Sequence, residues 1–294
     1  MSSTIRPRRS VLYMPGSNAR ALEKARTLNA DSLILDLEDA VAPDAKAAAR
    51  AQVAAAVTAG GFGPREVVIR TNGTDTPWFE EDLAAAVAAG PDAVLIPKVS
   101  DPETLIALGH KLEALGAAPG LRVWAMIETP LGVLRALDIA LAARNPKTRL
   151  SMFVLGTNDL SKETGTRIVP GRAPMLAWLS HTILAARAGG VEIVDGVWNA
   201  FQDQEGFGRE CAEAAELGFD GKTLIHPNQI EPCNAAFSPP PDEIAQARKL
   251  VAVFDLPENA GKGVVQIEGR MFEIMHAQMA RKRIALADAI AARG

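Results

Sequence analysis

The stretch VWAMIETPLGV, Val123 to Val133, sets five apolar residues, Val123 to Ile127, ahead of a carboxylate, Glu128, and a Thr129-Pro130 stop. A short apolar run closed by proline reads as a fully buried strand. A second stretch, LSMFVLGTNDL from Leu150 to Leu160, repeats the plan: strand Ser151 to Leu155, turn Gly156-Thr157-Asn158, carboxylate Asp159. Two strands thus each deliver one acid just past their C-terminal ends.

Similar runs recur along the chain, at Val11–Met14, Ser32–Leu37, Glu66–Thr71, Ala93–Val99, Val191–Val197 and Thr223–Ile225. With Arg122–Ile127 and Ser151–Leu155 they make eight. Helical stretches lie between them, such as DPETLIALGHKLEALG from Asp101 and EGFGRECAEAAELG from Glu205. Several open on Asp or Ser and close on Gly, as capped helices do. Near-continuous apolar strands alternating with helices indicate a parallel sheet covered on both faces. Eight such units predict a closed (β/α)8 TIM barrel over residues 1–256.

SPPPDEIAQARKLV from Ser238 reads as a turn and the eighth outer helix. Residues 257–294 exceed what the barrel needs: two glycines near Lys262, a strand-like piece and a last helix. This C-terminal extension is expected to fold over the barrel mouth or to pack on a neighbouring subunit.

In this fold the active site lies at the C-terminal ends of the strands. Polar residues gather there: Asp36, Glu38 and Asp39 after strand 2, Arg70 and Asn72 after strand 3, and Lys98 after strand 4. Glu128 and Asp159 follow strands 5 and 6, Asp195 and Asn199 strand 7, and His226 strand 8. Two carboxylates from adjacent strands suit a Mg2+ ion, which takes one or two carboxylates, waters and substrate oxygens. The N–H groups of Gly156, Thr157, Asn158 and Asp159 form a cradle for an anionic group. Arg70 offers a planar fork for a carboxylate or a developing oxyanion. Together these describe a site for a 2-oxo acid with charge stabilisation for an enolate. Lys98 reads either as a substrate or phosphate contact or as a partner for Asp36 or Glu38, and His226, before Pro227, as a turn former.

The formal charge of −4 over 294 residues argues against a nucleic-acid partner. No apolar run approaches the roughly 20 residues of a membrane span. The basic start MSSTIRPRRS lacks the apolar core of a secretory signal. The two cysteines, Cys211 and Cys233, form no CxxC pair. These features predict a cytoplasmic protein without a structural zinc or disulfide framework.

Six ordered blocks, RSVLYMPGSNARALEKARTLNADSLILDLEDAVAPDAKAAAR, VVIRTNG, LIPKV, MIETPLGV, LGTNDL and LGFDGKTLIHPNQI, resemble the citrate lyase β-subunit and malyl-CoA lyase family of the HpcH/HpaI aldolase superfamily. The resemblance runs from about Arg9 to Arg283. It implies Mg2+ bound by Glu128 and Asp159, with Arg70 on the oxo acid and the thioester oxygen. It also implies cleavage of a 3-hydroxyacyl-CoA thioester of the malyl-CoA or citramalyl-CoA type to a 2-oxo acid and an acyl-CoA. Assembly as a homotrimer or homohexamer follows from it, with the C-terminal segment of one subunit covering the next subunit's site. The family's tail reads roughly Gly-x-Met-(Ile/Val)-Asp-x-Pro, whereas GRMFEIMHA sets Glu273 at the Asp position and Met275 at the Pro. Glu273 is therefore the expected acid/base. Two other activities share these residues: a citrate lyase β-subunit acting on citryl-acyl-carrier protein within a complex, and a thioesterase on malyl-CoA. A pyruvate kinase-like enzyme or class II aldolase would share the metal carboxylates but fits the DLEDAV and GKTLIHP blocks less well.

Overall fold

The computed structural model describes residues 5–293. Its eight parallel strands close on themselves in sequence order. They are β1 (Ser10–Pro15), β2 (Ser32–Asp36), β3 (Glu66–Arg70), β4 (Ala93–Ile96), β5 (Arg122–Ile127), β6 (Leu150–Leu155), β7 (Glu192–Asp195) and β8 (Gly221–Leu224). Pairing of β1 with both β2 and β8 completes the barrel. The expected TIM barrel is therefore the observed one.

Two-residue alternation sorts the core. Val11, Ile34, Val68, Trp124, Val154 and Val194 pack inside the barrel, and Tyr13 leans on them. Their neighbours Leu33, Leu35, Ile69, Phe153 and Ile193 face the helices. Arg8 closes the N-terminal end: it binds Glu66 through Nε and Nη2 at 2.6 and 2.7 Å, contacts Glu192, and lies over the Trp124 ring.

The same parity moves one expected rim residue. Val194 points inward, so Asp195 points outward, into a buried ionic cluster behind β7 and β8. Arg172 donates to both Asp195 oxygens at 2.8 and 2.7 Å, and Lys222 Nζ lies 2.7 Å from both Asp195 Oδ2 and Glu210 Oε1. Burial opposes the charge on Asp195, but Lys222 and Arg172 outweigh it and hold the carboxyl below its ordinary value. Asp195→Ala should cost about 3–5 kcal/mol in urea unfolding, because it strips a shared partner from two buried cations. A loss under 1 kcal/mol would mean that Glu210 suffices for both.

Backbone contacts divide the chain into Arg8–Phe237 and a second unit that joins residues 5–7 to the C-terminal part from Ser238. The division falls earlier than residue 256. The helix after β8 is the short Ile230–Ala236, which packs by β1 and β8. Pro241–Phe254, expected as the eighth outer helix, instead packs on the last helix, Ile274–Ala291. Phe254, Val265 and Ala277 form a core of their own there. The expected single strand-like piece is a hairpin, β9 (Val264–Ile267) and β10 (Arg270–Glu273). Its tip, Glu268-Gly269, has φ of +48° and +78°, the left-handed pair that a two-residue hairpin turn requires. Among the described residues no helix is long and apolar enough to cross a membrane, and both cysteines are buried and free.

Candidate active site

A cleft of about 310 Å3 opens at the C-terminal ends of the strands. Tyr13, Asp36, Arg70, Met126, Asp159 and Asn199 are among its lining residues.

The register of β2 on β3 sets Asp36 beside Arg70. Arg70 Nε and Nη2 bind the two Asp36 oxygens at 2.6 and 2.7 Å. The planar fork expected to meet a substrate is thus already committed to Asp36. Nη1 remains, 2.8 Å from Glu38 Oε2 but off the hydrogen-bonding direction, and 3.5 Å from Asp39. Asp36 also accepts the Glu38 and Ala40 N–H groups at 2.9 and 3.1 Å. Burial alone would raise the Asp36 carboxyl, but Arg70 and these backbone bonds keep it below the usual carboxylate range. Asp36 is therefore a fixed anion that aims Arg70. Asn72 is likewise structural, bonding Asp82 and the Leu37 carbonyl.

Glu128 is 1 % exposed at the end of β5. Its Oε1 accepts the Lys98 N–H at 2.9 Å. Lys98 adopts φ +55°, uncommon for a side chain with a Cβ, and this turn presents its N–H to the carboxylate. Lys98 Nζ lies 3.3 Å from Glu38, so the ion-pair reading of Lys98 is the one observed. Burial pushes the Glu128 carboxyl up to about 8, aided by the charges of Glu38 and Asp159 against those of Arg70 and the Lys98 N–H. The Glu38 carboxyl rises as well, first from burial. Such a site is short of positive charge.

Asp159 sits in the first turn of the helix Thr157–Thr164, which follows β6 through Gly156. A Cβ on Gly156 would fall 2.4 Å from Glu128 Cβ and 2.5 Å from its Oε2, so only glycine lets the two acid-bearing turns approach. The Gly156 N–H is spent on the Ile127 carbonyl at 3.1 Å, which removes it from the expected cradle. The N–H groups of Thr157, Asn158 and Asp159 belong to a first helical turn, where no intrahelical acceptor exists. Asn158 exchanges amide hydrogen bonds with Asn199 at 3.2 and 2.8 Å, joining the β6 and β7 sides of the rim.

His226 shapes a turn, accepting the Asn228 N–H through Nδ1 and stacking on Phe201. Glu273 belongs to the C-terminal unit, where it is the N-cap of the last helix, with His276 Nδ1 accepting its N–H at 3.0 Å. Tyr13, Met126 and Thr223 line the cleft and escaped the sequence reading. Parity along β1 would have found Tyr13, since it shares a face with inward Val11.

The HpcH/HpaI aldolase/citrate lyase family model matches residues 9–227. The chain is 48 % identical over 293 residues to a (3S)-malyl-CoA thioesterase of Cereibacter sphaeroides strain KD131, covering 99 % of each. It is 36 % identical to the citrate lyase subunit beta of Leuconostoc mesenteroides subsp. cremoris, covering 97 % of this chain and 94 % of that one. A solved structure of CitE from Mycobacterium tuberculosis, in complex with magnesium, acetoacetate and coenzyme A, superposes with a TM-score of 0.72 at 30 % identity, covering 94 % of this chain and 97 % of the other. A citrate lyase beta subunit from the same organism, complexed with oxaloacetate and magnesium, gives 0.67 at 31 %, covering 81 % and 100 %.

Proposed function

The chain belongs to the HpcH/HpaI aldolase/citrate lyase family, and on that premise we propose that it is a Mg2+-dependent enzyme acting on a 3-hydroxyacyl-CoA thioester of the malyl-CoA class, hydrolysing it to the free acid and CoA. The observation that carries this reading is that the buried Glu128 carboxyl feels the charges of both Asp159 and Arg70, which themselves line one cleft. The full-length likeness to a (3S)-malyl-CoA thioesterase favours hydrolysis. The second reading is C–C cleavage of the same substrate to a 2-oxo acid and an acyl-CoA, favoured by the citrate lyase relatives. A variant of this second reading takes the acyl group on an acyl-carrier protein as the partner.

The residues present fit a divalent cation. Glu128 is forced towards neutrality by burial and by the charges of Glu38 and Asp159, and Arg70, already paired with Asp36, Glu38 and Asp39, offsets them only in part. Glu128 and Asp159 would hold Mg2+. Bound there, the ion supplies Lewis-acid polarisation of the substrate's acid oxygens. Arg70 Nη1 and the first-turn N–H groups of Thr157 to Asp159 orient the anionic end. Glu273 is assigned the proton transfer. In hydrolysis its carboxylate takes a proton from water as the oxygen attacks the thioester carbon, and the departing thiolate receives a proton as the C–S bond breaks. In the lyase reaction the same carboxylate would take the 3-hydroxyl proton as the C–C bond opens to the oxo acid and the thioester enolate, and would return that proton to the acyl carbon.

The proposed assembly is a trimer or hexamer in which Glu273 reaches a neighbour's barrel. Support comes from apolar side chains left exposed around Glu273: Met271 at 65 %, Ile274 at 45 % and Met275 at 51 %. Exposed apolar patches of this kind mark contact surfaces. The setting proposed is the cytoplasm.

The deciding experiment incubates the protein with malyl-CoA and Mg2+ and follows thiol and glyoxylate release separately. Thiol without glyoxylate establishes hydrolysis. Glyoxylate without thiol establishes the lyase, and neither product from a panel of hydroxyacyl-CoA thioesters would overturn both.

Mg2+ binding should also be linked to pH. Because the Glu128 carboxyl is raised to about 8, its neutral form dominates at pH 7 and an incoming cation must displace the proton. Calorimetry in buffers of different ionisation enthalpy should detect close to one proton released per ion. Affinity should fall by about tenfold per unit as pH drops below 8. A pH-independent affinity would mean that the ion displaces no proton from Glu128.

A further inference from the structure

At the floor of the cleft two hydrogen-bond donors share one poor acceptor. Tyr13 Oη lies 3.9 Å from Met126 Sδ, and Arg70 Nη1 lies 3.8 Å from the same sulfur. A thioether accepts weakly. Among the described contacts this is the Tyr13 hydroxyl's one hydrogen bond. Nη1 also makes a long hydrogen bond of 3.5 Å to Asp39 Oδ2, and has Glu38 at 2.8 Å at an angle that makes no hydrogen bond.

Both donors are held in place. Asp36 clamps Nε and Nη2 of Arg70, which fixes the direction of Nη1. The Tyr13 ring lies under that guanidinium, 4.9 Å from its centre, and leans on the barrel interior. Met126, by contrast, is unbranched and adapts its shape readily. All three residues line the cleft. Two fixed donors converging on a movable sulfur describe a prepared position for an oxygen.

We propose that an anionic oxygen of the substrate replaces the Met126 sulfur as the shared acceptor, making Tyr13 a substrate-binding residue that works with Arg70 Nη1. The inference rests on the reading of the cleft as a hydroxy- or oxo-acid site and names the group that would select for the acid. Asp36, Asp39 and Asp159 line the same cleft, so a carboxylate entering it meets repulsion unless donors face it. The phenol is a neutral donor, and hydrogen bonds to a charged oxygen are the strong ones. A donor without its acceptor also penalises analogues lacking that oxygen, which turns affinity into selectivity.

Tyr13 is the only tyrosine in the chain, so protein carrying 13C-labelled tyrosine gives one ring Cζ resonance. Titration with glyoxylate or oxaloacetate in the presence of Mg2+ should move that resonance saturably, in step with the calorimetric binding curve. Tyr13→Phe should weaken binding of the same acid by roughly 10- to 100-fold, with an unfolding midpoint close to that of the wild type. An unmoved resonance in wild-type protein that binds the acid, or an equal Kd in the Tyr13→Phe variant, overturns the inference and leaves the site reading intact. Wild-type protein that binds no hydroxy or oxo acid overturns both.

Discussion

Glu128→Gln and Asp159→Asn variants should fold normally and lose at least ~1,000-fold in kcat/KM at limiting Mg2+, the upper range for removing one preorganised electrostatic group. Glu128→Gln is the cleaner variant. Its amide oxygen can still accept the Lys98 N–H that Glu128 Oε1 accepts at 2.9 Å, so the turn after β4 keeps its anchor. The amide also imitates the neutral form that burial, Glu38 and Asp159 already favour in Glu128. Thermal stability at pH 7 should therefore be unchanged while activity disappears, and the proton released on Mg2+ binding should disappear with it. Near-normal turnover in both variants would remove the paired carboxylates from the mechanism.

The second large effect concerns the C-terminal unit. Glu273→Ala should lower turnover by roughly 100- to 10,000-fold, as expected for loss of a positioned proton-transfer group, without weakening binding of the acid product. The division of the chain after Phe237 dictates where to cut. A break at residue 257 would separate Pro241–Phe254 from the helix on which it packs and leave it bare. A chain ending at Phe237 should instead fold, bind Mg2+ and an oxo acid, and fail to turn over. Mixing inactive Glu273→Ala with inactive Glu128→Gln under subunit exchange should restore part of the activity, because some sites would then combine an intact Glu128 with an intact Glu273. A monomer by sedimentation, or full activity in the shortened chain, would rule out sites shared between subunits. Absence of rescue after verified exchange would place Glu273 over its own barrel.

The barrel and the polar rim at the C-terminal ends of its strands were legible in the sequence because both depend on local pattern. Apolar runs such as Val123–Ile127 and Ser32–Asp36 declare buried strands, and their spacing by capped helices forces parallel pairing. A strand's last residue is also a local matter, which is why Glu128, Asp159 and Arg70 could be set at one rim from the chain alone. Tertiary structure decided what each of those groups is free to do. Arg70 looked like an open fork, yet in-register pairing of β2 with β3 brings Asp36 within 2.6 Å and occupies two of its nitrogens. Asp195 looked like a rim acid, yet it faces Lys222 and Arg172 behind the barrel. Pro241–Phe254 carries a helix pattern that no local rule could assign to the barrel rather than to the last helix. Tyr13 and Met126, 113 positions apart, become a pair only once β1 and β5 share one interior. Helices and strands follow from neighbours in sequence, whereas the partner that a charged or polar group takes is settled by competition among all groups brought within about 3–4 Å of it, and closure of the barrel determines which groups those are.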